Sequence, residues 1–215
     1  MIKNSQMMLE NAIGYETLTK ALKEELENDE WDADYCCNYS PDGTKLLDAE
    51  NFPDEVKVRE GTRIICDDVF SFKDYMAPET PYGQEIQEED RASFLDKIYL
   101  PRSVEHIGND TFRECGWLGS IKLPVSLISI GDRAFKDCWG LKGISCPASL
   151  VSIGAHAFEY CFSLKHARLD KKLERIGKGA FYGCDELEEI RIPKGTWKKF
   201  KTMIPASLRN SIIEL

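Results

Sequence analysis

The sequence lacks the features that mark membrane-spanning and secreted chains. Its 215 residues contain no run of eighteen apolar residues, so no membrane insertion is predicted. The first residues lead into an acidic amphipathic stretch, which is unlike a secretory signal peptide. On the sequence as given we predict a cytoplasmic location, with a secreted or cell-surface location as the alternative if a leader has been removed.

The sequence also lacks the motifs of catalysis and of metal or cofactor binding. It has no Cys-x-x-Cys pair, no His-x-x-x-His pair, no Asp-rich metal loop and no glycine-rich phosphate loop after a strand. His106, His156 and His166 fall at different positions of the repeat described below, so nothing predicts that they meet in a catalytic group. We predict that the protein is not an enzyme and uses no cofactor.

Positive charge is scarce in the first part of the chain. Residues 1–95 hold 9 Lys and Arg against 23 Asp and Glu, a net of −14, whereas residues 96–215 hold 19 against 14, a net of +5. That excess is too dilute for general nucleic-acid binding, which needs a dense basic patch, so we predict no nucleic-acid partner. The acidic front and the basic back allow charge-driven self-association, and ordinary solvated charge is the alternative.

Four columns of identical residues recur every 23 residues in the second part of the chain. They are the Ile-Gly pairs that begin at Ile107, Ile130, Ile153 and Ile176, the phenylalanines Phe112, Phe135, Phe158 and Phe181, the cysteines Cys115, Cys138, Cys161 and Cys184, and the leucines Leu118, Leu141, Leu164 and Leu187. A unit this short cannot bury its own apolar face, so it must stack on its neighbours in a solenoid. Stacked cysteines form a row, which suits neither tetrahedral zinc nor disulfides, and we predict buried, reduced thiols.

A degraded copy of the repeat precedes the regular ones. Shifting residues 56–70 by 42 positions aligns Ile65 with Ile107 and Phe70 with Phe112. Because 42 exceeds the 23-residue period by 19, this copy carries a 19-residue insertion, which falls within residues 71–93. Insertions of this kind form loops on one face of a solenoid, and binding and a silent loop both remain open. Cys66 stands where the other copies have glycine, and a left-handed backbone there would force a different local geometry.

The unit Leu-x-x-Ile-x-Leu-Pro-x-Ser-Leu-x-Ser-Ile-Gly-x-x-Ala-Phe-x-x-Cys at residues 118–138 resembles the BspA-type leucine-rich repeat. The resemblance extends over about residues 35–210, with Tyr-Ser-Pro-Asp-Gly-Thr-Lys-Leu-Leu as a lead-in and Pro-Lys-Gly-Thr-Trp-Lys-Lys-Phe as a terminal cap. It implies an α/β solenoid, a right-handed leucine-rich repeat superhelix with a parallel β-sheet on one face. It also implies binding roles, commonly adhesion or host contact in bacteria and protists, without catalysis.

The chain divides into three predicted parts. Residues 1–52 form an N-terminal cap, made of an amphipathic helix over residues 5–28 and a hairpin around a Ser-Pro-Asp-Gly turn. A partner-binding helix is the alternative for residues 5–28. Residues 53–193 form a solenoid of about five repeats, and residues 194–215 form a helical C-terminal cap in which Trp197 and Phe200 cover the apolar end.

Two sets of outward side chains are candidates for partner binding. Each repeat begins with a predicted strand, as at residues 96–101 and 121–123, in which inward apolar residues alternate with outward positions. The half of the repeat that ends in Ile-Gly is interpreted as the return run. One outward column of the strands is biased to positive charge. That column consists of Lys57, Tyr99, Lys122, Ser145, Arg168 and Arg191. Trp139 and Phe162 share one position in adjacent repeats, in the loop after the cysteine. We predict that Tyr99, Lys122, Arg168, Arg191, Trp139 and Phe162 bind a protein, an acidic peptide or an acidic glycan. A solvated strand face and rings folded over their own loop are the structural alternatives.

Overall fold

The computed structural model describes residues 18–50, 52–71 and 95–215, which form a β-solenoid of about six turns. The strands are β1 (Glu30–Asp32), β2 (Cys37–Tyr39), β3 (Lys45–Ala49), β4 (Glu55–Lys57), β5 (Ile64–Ile65), β6 (Lys97–Tyr99), β7 (His106–Ile107), β8 (Ser129–Ile130), β9 (Gly143–Ser145), β10 (Ser152–Ile153), β11 (His166–Arg168), β12 (Arg175–Ile176), β13 (Glu189–Ile192) and β14 (Ile212–Glu214). The helices of the described residues are α1 (Lys23–Glu27), α2 (Trp197–Met203) and a 3-10 helix (Ala206–Ser211).

Parallel strands line two sides of the core, which corrects the prediction of a sheet on one face only. One sheet has the order β1-β2-β3-β5-β7-β8-β10-β12, and the other side carries β14-β13-β11-β9 and the pair β4-β6. The Ile-Gly segment, interpreted from the sequence as a return run, pairs at the same repeat position in every turn, with Ile130 between Ile107 and Ile153. An extended segment that recurs at a fixed place in each turn forms its own ladder, however short it is.

The predicted strand at residues 121–123 is wrong, although its pattern of burial is right. Ile121 and Leu123 are buried and Lys122 is exposed, as the alternation predicts. The backbone of this segment nevertheless pairs with neither β6 nor β9 among the described residues. The sheet on this side of the solenoid is therefore interrupted for one turn.

Stacked rings and thiols form the centre of the core, and the predicted row of buried, reduced cysteines is confirmed. Phe70, Phe112, Phe135, Phe158 and Phe181 stack with ring centroids 5.0–5.4 Å apart and planes within 4–16° of parallel. Each cysteine of the row also donates a hydrogen bond from Sγ to the phenylalanine carbonyl of the preceding turn, at 3.0–3.3 Å. The thiols thus satisfy buried carbonyl groups, a role that the sequence did not reveal.

The degraded first copy lies in register with the regular repeats. Val56 pairs opposite Ile98, and Ile65 pairs opposite Ile107, so the 42-residue offset is confirmed. The geometry expected at Cys66 is wrong, because the backbone at this position is not left-handed in any of the described turns. The glycines serve close approach instead: a Cβ on Gly131 would lie 2.5 Å from the carbonyl carbon of Gly108 in the preceding turn. Cys66 belongs to the first turn of this column. No earlier copy of the repeat lies against it, so the requirement for glycine does not apply there.

The hairpin predicted around the Ser-Pro-Asp-Gly turn is confirmed, with β2 antiparallel to β3. Asp42 accepts hydrogen bonds from the Ser40 hydroxyl and from the backbone and hydroxyl of Thr44 at 2.6–3.0 Å. These bonds lower the pKa of Asp42 to about 2, and the bond from Ser40 makes the largest contribution. The turn therefore contains a carboxylate that stays ionised through most of the acid range.

The N-terminal helix is shorter than predicted in the part that the structure describes. Residues 5–17 of the predicted helix lie outside the described residues, and residues 19–22 are not helical. The Thr19 carbonyl accepts a hydrogen bond from Asp67 N–H, which ties this backbone to the first turn of the solenoid instead of to a helix. The predicted apolar face is also wrong here, since Leu22 and Leu26 are exposed.

The residues after the last repeat pack against the final turn. Phe200 of α2 and Ile204 are buried in the core, and Trp197 is packed against it. β14 then pairs in parallel with β13, with Ile212 opposite Ile190. Residues 194–215, the C-terminal segment, thus extend one sheet and cover part of the end of the core.

Candidate partner-binding surfaces

The charged column predicted from the sequence is exposed along one side of the solenoid. Tyr99 lies opposite Lys57 in the β4-β6 pair, and Arg168 lies between Ser145 and Arg191 in the second sheet. Lys122 is exposed in the interrupted turn between these two groups. The basic column, defined as Lys57, Tyr99, Lys122, Ser145, Arg168 and Arg191, therefore faces solvent throughout.

The cations of the basic column differ in how far neighbouring groups neutralise them. Arg191 forms an ion pair with Glu189 at 2.6 Å, and the Lys57 ammonium lies 5.9 Å from the centroid of the Tyr99 ring. The side chains of Lys122 and Arg168 form no ion pair or hydrogen bond with any described residue. These two side chains are the cations of the column that are available to an anionic partner.

The aromatic edge, the second predicted surface, is larger in the structure than in the sequence. Trp139 and Phe162 are 41% and 43% exposed, and the Phe162 ring lies 5.8 Å from that of Tyr160. Tyr160 in turn lies 5.7 Å from Tyr182, which is exposed. Trp117 is also exposed, one turn before Trp139. The sequence did not single out the tyrosines, because other turns carry charged residues at the same positions.

The three histidines lie apart, as their phases in the repeat predict. His106 is buried, its Nδ1 is 2.8 Å from Ser129 Oγ, and burial lowers its pKa. His156 contacts Glu159 at 3.1 Å, whereas His166 lies 3.6 Å from Glu189 on the other side of the solenoid. Each histidine therefore belongs to a separate local contact.

Chemically reactive groups are few in the part of the chain that the structure describes. Burial raises the pKa of Cys37, Cys66, Cys146 and Cys184 to about 12, and raises those of Cys138 and Cys161 well above the ordinary value. The described residues contain no group of three or more His, Cys, Asp or Glu side chains placed to hold a metal ion. Over the same residues, no helix is long and apolar enough to cross a membrane.

Comparisons with known proteins agree with this geometry. The chain is similar to a T. pallidum leucine rich repeat protein, with 25% identity and a TM-score of 0.58 over 76% of this chain and 71% of that one. It shares its fold with a leucine rich cell surface protein from Faecalibacterium prausnitzii, at 21% identity and a TM-score of 0.64, over 82% of this chain and 42% of that one. The pneumococcal vaccine antigen PcpA matches at 21% identity and a TM-score of 0.59, over 83% and 44%.

This chain therefore spans less than half the length of the last two proteins. A search of curated protein sequences gives no match. The family described as BspA type leucine rich repeat region matches residues 91–204 with six copies. Because this match covers more than half of a chain whose turns stack as that repeat requires, the protein belongs to the BspA-type leucine-rich repeat family.

Proposed function

We propose that the protein is a non-catalytic interaction module whose basic column binds an acidic segment of a protein partner. The observation that supports this is the pair Lys122 and Arg168, which are exposed and have no anionic neighbour among the described residues. They lie two turns apart on the same side, about 10 Å at the strand spacing of a sheet. An acidic peptide laid along the solenoid axis would place carboxylates beside both cations.

The proposed contact is electrostatic and exposed, so its strength depends on salt. Exposed ion pairs contribute about 0.2–1 kcal/mol each, and long-range attraction raises the association rate more than it slows dissociation. Tyr99 and Arg191 extend the proposed site at its two ends, with Arg191 weakened as a ligand by its pair with Glu189. An acidic glycan would use the same cations.

The test uses a fluorescein-labelled octaglutamate peptide and fluorescence anisotropy. We expect the double variant Lys122→Glu, Arg168→Glu to bind at least about tenfold more weakly than the unaltered protein at low salt, because two attractions become repulsions. The double variant Lys172→Glu, Lys201→Glu changes the net charge equally at exposed positions away from the column and serves as the matched control. Equal weakening in both variants would reject the column as a site.

The aromatic edge is a second proposed contact surface for a protein partner. Trp139 and Phe162 retain enough exposed ring area to contact another molecule, and aromatic rings are enriched at protein interfaces. For any partner found with the intact protein, we expect Trp139→Ala to weaken binding more than Val125→Ala, which truncates an apolar side chain elsewhere that is even more exposed. Equal effects would leave the rings with a local structural role.

We also propose the finer features of the architecture. These are a right-handed superhelix, an N-terminal cap over residues 1–52, a solenoid over residues 53–193 with its insertion at 71–93, and a C-terminal cap over residues 194–215. Burial of Phe200 and Ile204 against the last turn supports the C-terminal cap. The insertion lies outside the described residues apart from residue 71. Deleting residues 194–215 tests the cap, since an uncovered core end should lower the unfolding midpoint.

We propose a cell-surface location for a protein of this sequence that carries a leader, in preference to the cytoplasmic one. This is supported by the relative from Faecalibacterium prausnitzii, which is described as a cell surface protein. Charge-driven self-association between the acidic front and the basic back is a separate proposal. It predicts oligomers that dissociate as the salt concentration rises, because surface attraction is screened over about 10 Å at 0.1 M salt. Light scattering over a salt series tests this, and a monomer at every salt concentration would reject it.

A further inference from the structure

The loops after the Ile-Gly pairs form a backbone ladder with a fixed direction. Residues at alternate positions donate N–H groups to carbonyls of the next turn, at 2.8–3.0 Å. The donor–acceptor pairs are Asp68–Asn109 and Phe70–Thr111, then Asp110–Asp132, Phe112–Ala134 and Glu114–Lys136, then Arg133–Ala155, Phe135–Ala157 and Asp137–Glu159, and then His156–Lys178, Phe158–Ala180 and Tyr160–Tyr182. Each turn thus directs its donors toward the C-terminal end of the solenoid.

A left-handed backbone before and after each phenylalanine directs these donors. In the regular turns, the residues two before and two after it have φ values of 52–70°. Most of these are not glycines, although a left-handed backbone is costly for other residues. Because the costly conformation recurs at both positions of every regular turn, the direction of the N–H groups is built into the repeat.

The last turn leaves its three donors without an acceptor. The N–H groups of Gly179, Phe181 and Gly183 stand at the same places as the donors of the earlier turns, and they donate to no described residue. An unpaired backbone donor away from water is costly, so such groups are normally paired with protein, water or a ligand. The C-terminal segment pairs with the second sheet through β14, and none of its described backbone carbonyls accepts a hydrogen bond from these three N–H groups.

A cleft of about 730 Å³ opens where the acceptors of a further turn would lie. Gly179, Phe181 and Gly183 form one wall, and Pro205 and Leu208 belong to the opposite wall. The volume is within the range of about 300–1,000 Å³ that is usual for ligand sites. An apolar wall and a row of three free donors, facing one space, are the properties of a site that binds polypeptide backbone.

We propose that this cleft binds a segment of a partner polypeptide that takes the place of the next turn of the ladder. Carbonyls at alternate residues of the segment accept hydrogen bonds from Gly179, Phe181 and Gly183. The site lies at the end of the solenoid, apart from the basic column. It shares only Tyr182 with the aromatic edge. It therefore stands independently of the proposed function of those surfaces.

The acceptor side of the ladder defines the chemistry of the segment. The central acceptor of each turn is a small, buried residue, namely Thr111, Ala134, Ala157 or Ala180. A phenylalanine follows it and stacks on the ring of the preceding turn. The segment bound in the cleft therefore has a small residue at its central carbonyl. The Phe181 ring is itself buried, so the segment is defined by this small residue and not by an aromatic one.

A second copy of this chain is a poorer occupant. Its matching acceptors would come from the start of its own ladder, at Asp67 and Val69. Val69 is fully buried, and the Asp67 backbone is held against Thr19. Phe52 also packs edge-on against Phe70, at 5.2 Å between ring centroids. That end of the molecule is covered by its own chain, so a segment of a different polypeptide fits the cleft better.

The probe is a labelled peptide with the sequence of residues 154–162, carrying Cys161→Ser to prevent oxidation. It supplies the carbonyls of Ala155, Ala157 and Glu159, which already serve as acceptors within the ladder. We expect saturable binding by fluorescence anisotropy. In NMR hydrogen exchange, we expect slower exchange of the Gly179, Phe181 and Gly183 amides, by at least about fivefold at saturation. A peptide with Ala157→Trp should not bind, because the central position admits only a small side chain.

Two protein variants locate the binding. Ser207 lines the cleft and is exposed, so Ser207→Trp should fold normally, fill the cleft and weaken binding at least about tenfold. Ala206→Trp places the same ring on the neighbouring exposed residue, which does not line the cleft, and should bind within about twofold of the unaltered protein. The proposal is overturned by absence of saturable binding or by equal binding to both variants. It is also overturned if the Gly179, Phe181 and Gly183 amides are already protected from exchange in the free protein at high concentration, because a second copy of the chain would then occupy the cleft.

Discussion

The glycine that follows each isoleucine provides the sharpest test of how the turns pack. In the regular repeats its backbone lies on that of the preceding turn, and a Cβ on Gly131 would lie 2.5 Å from both the carbonyl carbon and the oxygen of Gly108. These are backbone atoms, which cannot move aside as a flexible side chain does. We therefore expect Gly131→Ala to destabilise the solenoid strongly, although the backbone conformation at Gly131 itself suits alanine.

The expected magnitude follows from the distances. Ordinary contact begins near 3.4 Å, so the two turns must separate by about 0.9 Å. The hydrogen bond from Gly131 N–H to the Ile107 carbonyl, now 2.9 Å, would then lengthen to about 3.8 Å and break. Overpacking costs about 1–3 kcal/mol and each lost hydrogen bond about 1 kcal/mol. We expect a total loss of about 2–4 kcal/mol, a large part of the stability of an ordinary domain.

Urea unfolding followed by circular dichroism measures this loss. With a denaturant slope of about 2 kcal/mol per molar urea, the midpoint should fall by about 1–2 M. Gly119→Ala is the matched control, because a Cβ there has its nearest neighbour, the Trp117 carbonyl oxygen, 4.0 Å away. A change below about 1 kcal/mol in Gly131→Ala, or an equal loss in Gly119→Ala, would refute the close-approach explanation.

Three further predictions concern the cysteines and one half-buried carboxylate. Iodoacetamide at pH 8 should modify Cys36 in the native protein, and the seven buried cysteines only after unfolding, as mass spectrometry would show. Cys138→Ala should cost about 2–3 kcal/mol, because it leaves a cavity and removes one of the two donors to the Phe112 carbonyl, whereas Cys36→Ala should cost less than about 0.5 kcal/mol. Burial raises the pKa of Asp137, so the folded state is penalised as pH rises above the ordinary value of 3.8, and Asp137→Asn should stabilise the protein at pH 7 but not at pH 3.

Each of these predictions has an outcome that contradicts it. Modification of several native cysteines at the rate of Cys36 would mean that the row of thiols opens readily. Equal stability of Cys138→Ala and Cys36→Ala in urea would remove the thiol hydrogen bond as a stabilising contact. For Asp137→Asn, the exposed Asp185→Asn is the control, and a stabilisation that persists unchanged at pH 3 would show that charge burial is not its cause.

The sequence predicted those parts of the fold that depend on side-chain burial. The phenylalanine and cysteine columns had to stack because each turn is too short for its own core, and the 42-residue offset placed Phe70 on Phe112. Outward positions such as Lys122 followed from alternation, which holds even where the strand itself does not form. In these cases the periodic pattern and the physical cause coincide.

Features carried by the backbone could not be predicted in the same way. We interpreted the Ile-Gly segment from the sequence as a return run, because two-residue strands leave almost no pattern of alternation. From the sequence, the glycine column was explained by a left-handed backbone, whereas close contact with the preceding turn is the cause. Cys66 is the one position of the column without glycine, and it alone could have distinguished these two explanations. The prediction of a helix through Leu22 was wrong because the Thr19 carbonyl accepts a hydrogen bond from Asp67 N–H of the solenoid, a contact with no local signal in the sequence.

The direction of the loop ladder makes the two ends of the solenoid chemically different. At the start of the ladder, carbonyl acceptors are left over, and the chain covers that end with its own N-terminal residues, including Thr19 and Phe52. At the other end, N–H donors are left over, because the C-terminal segment extends the second sheet and accepts no hydrogen bond from the loop donors Gly179, Phe181 and Gly183. Substituting outward side chains does not change this polarity, because it resides in the backbone. A site that depends on it would therefore tolerate sequence change in the outward columns, whereas binding at Lys122 and Arg168 would not.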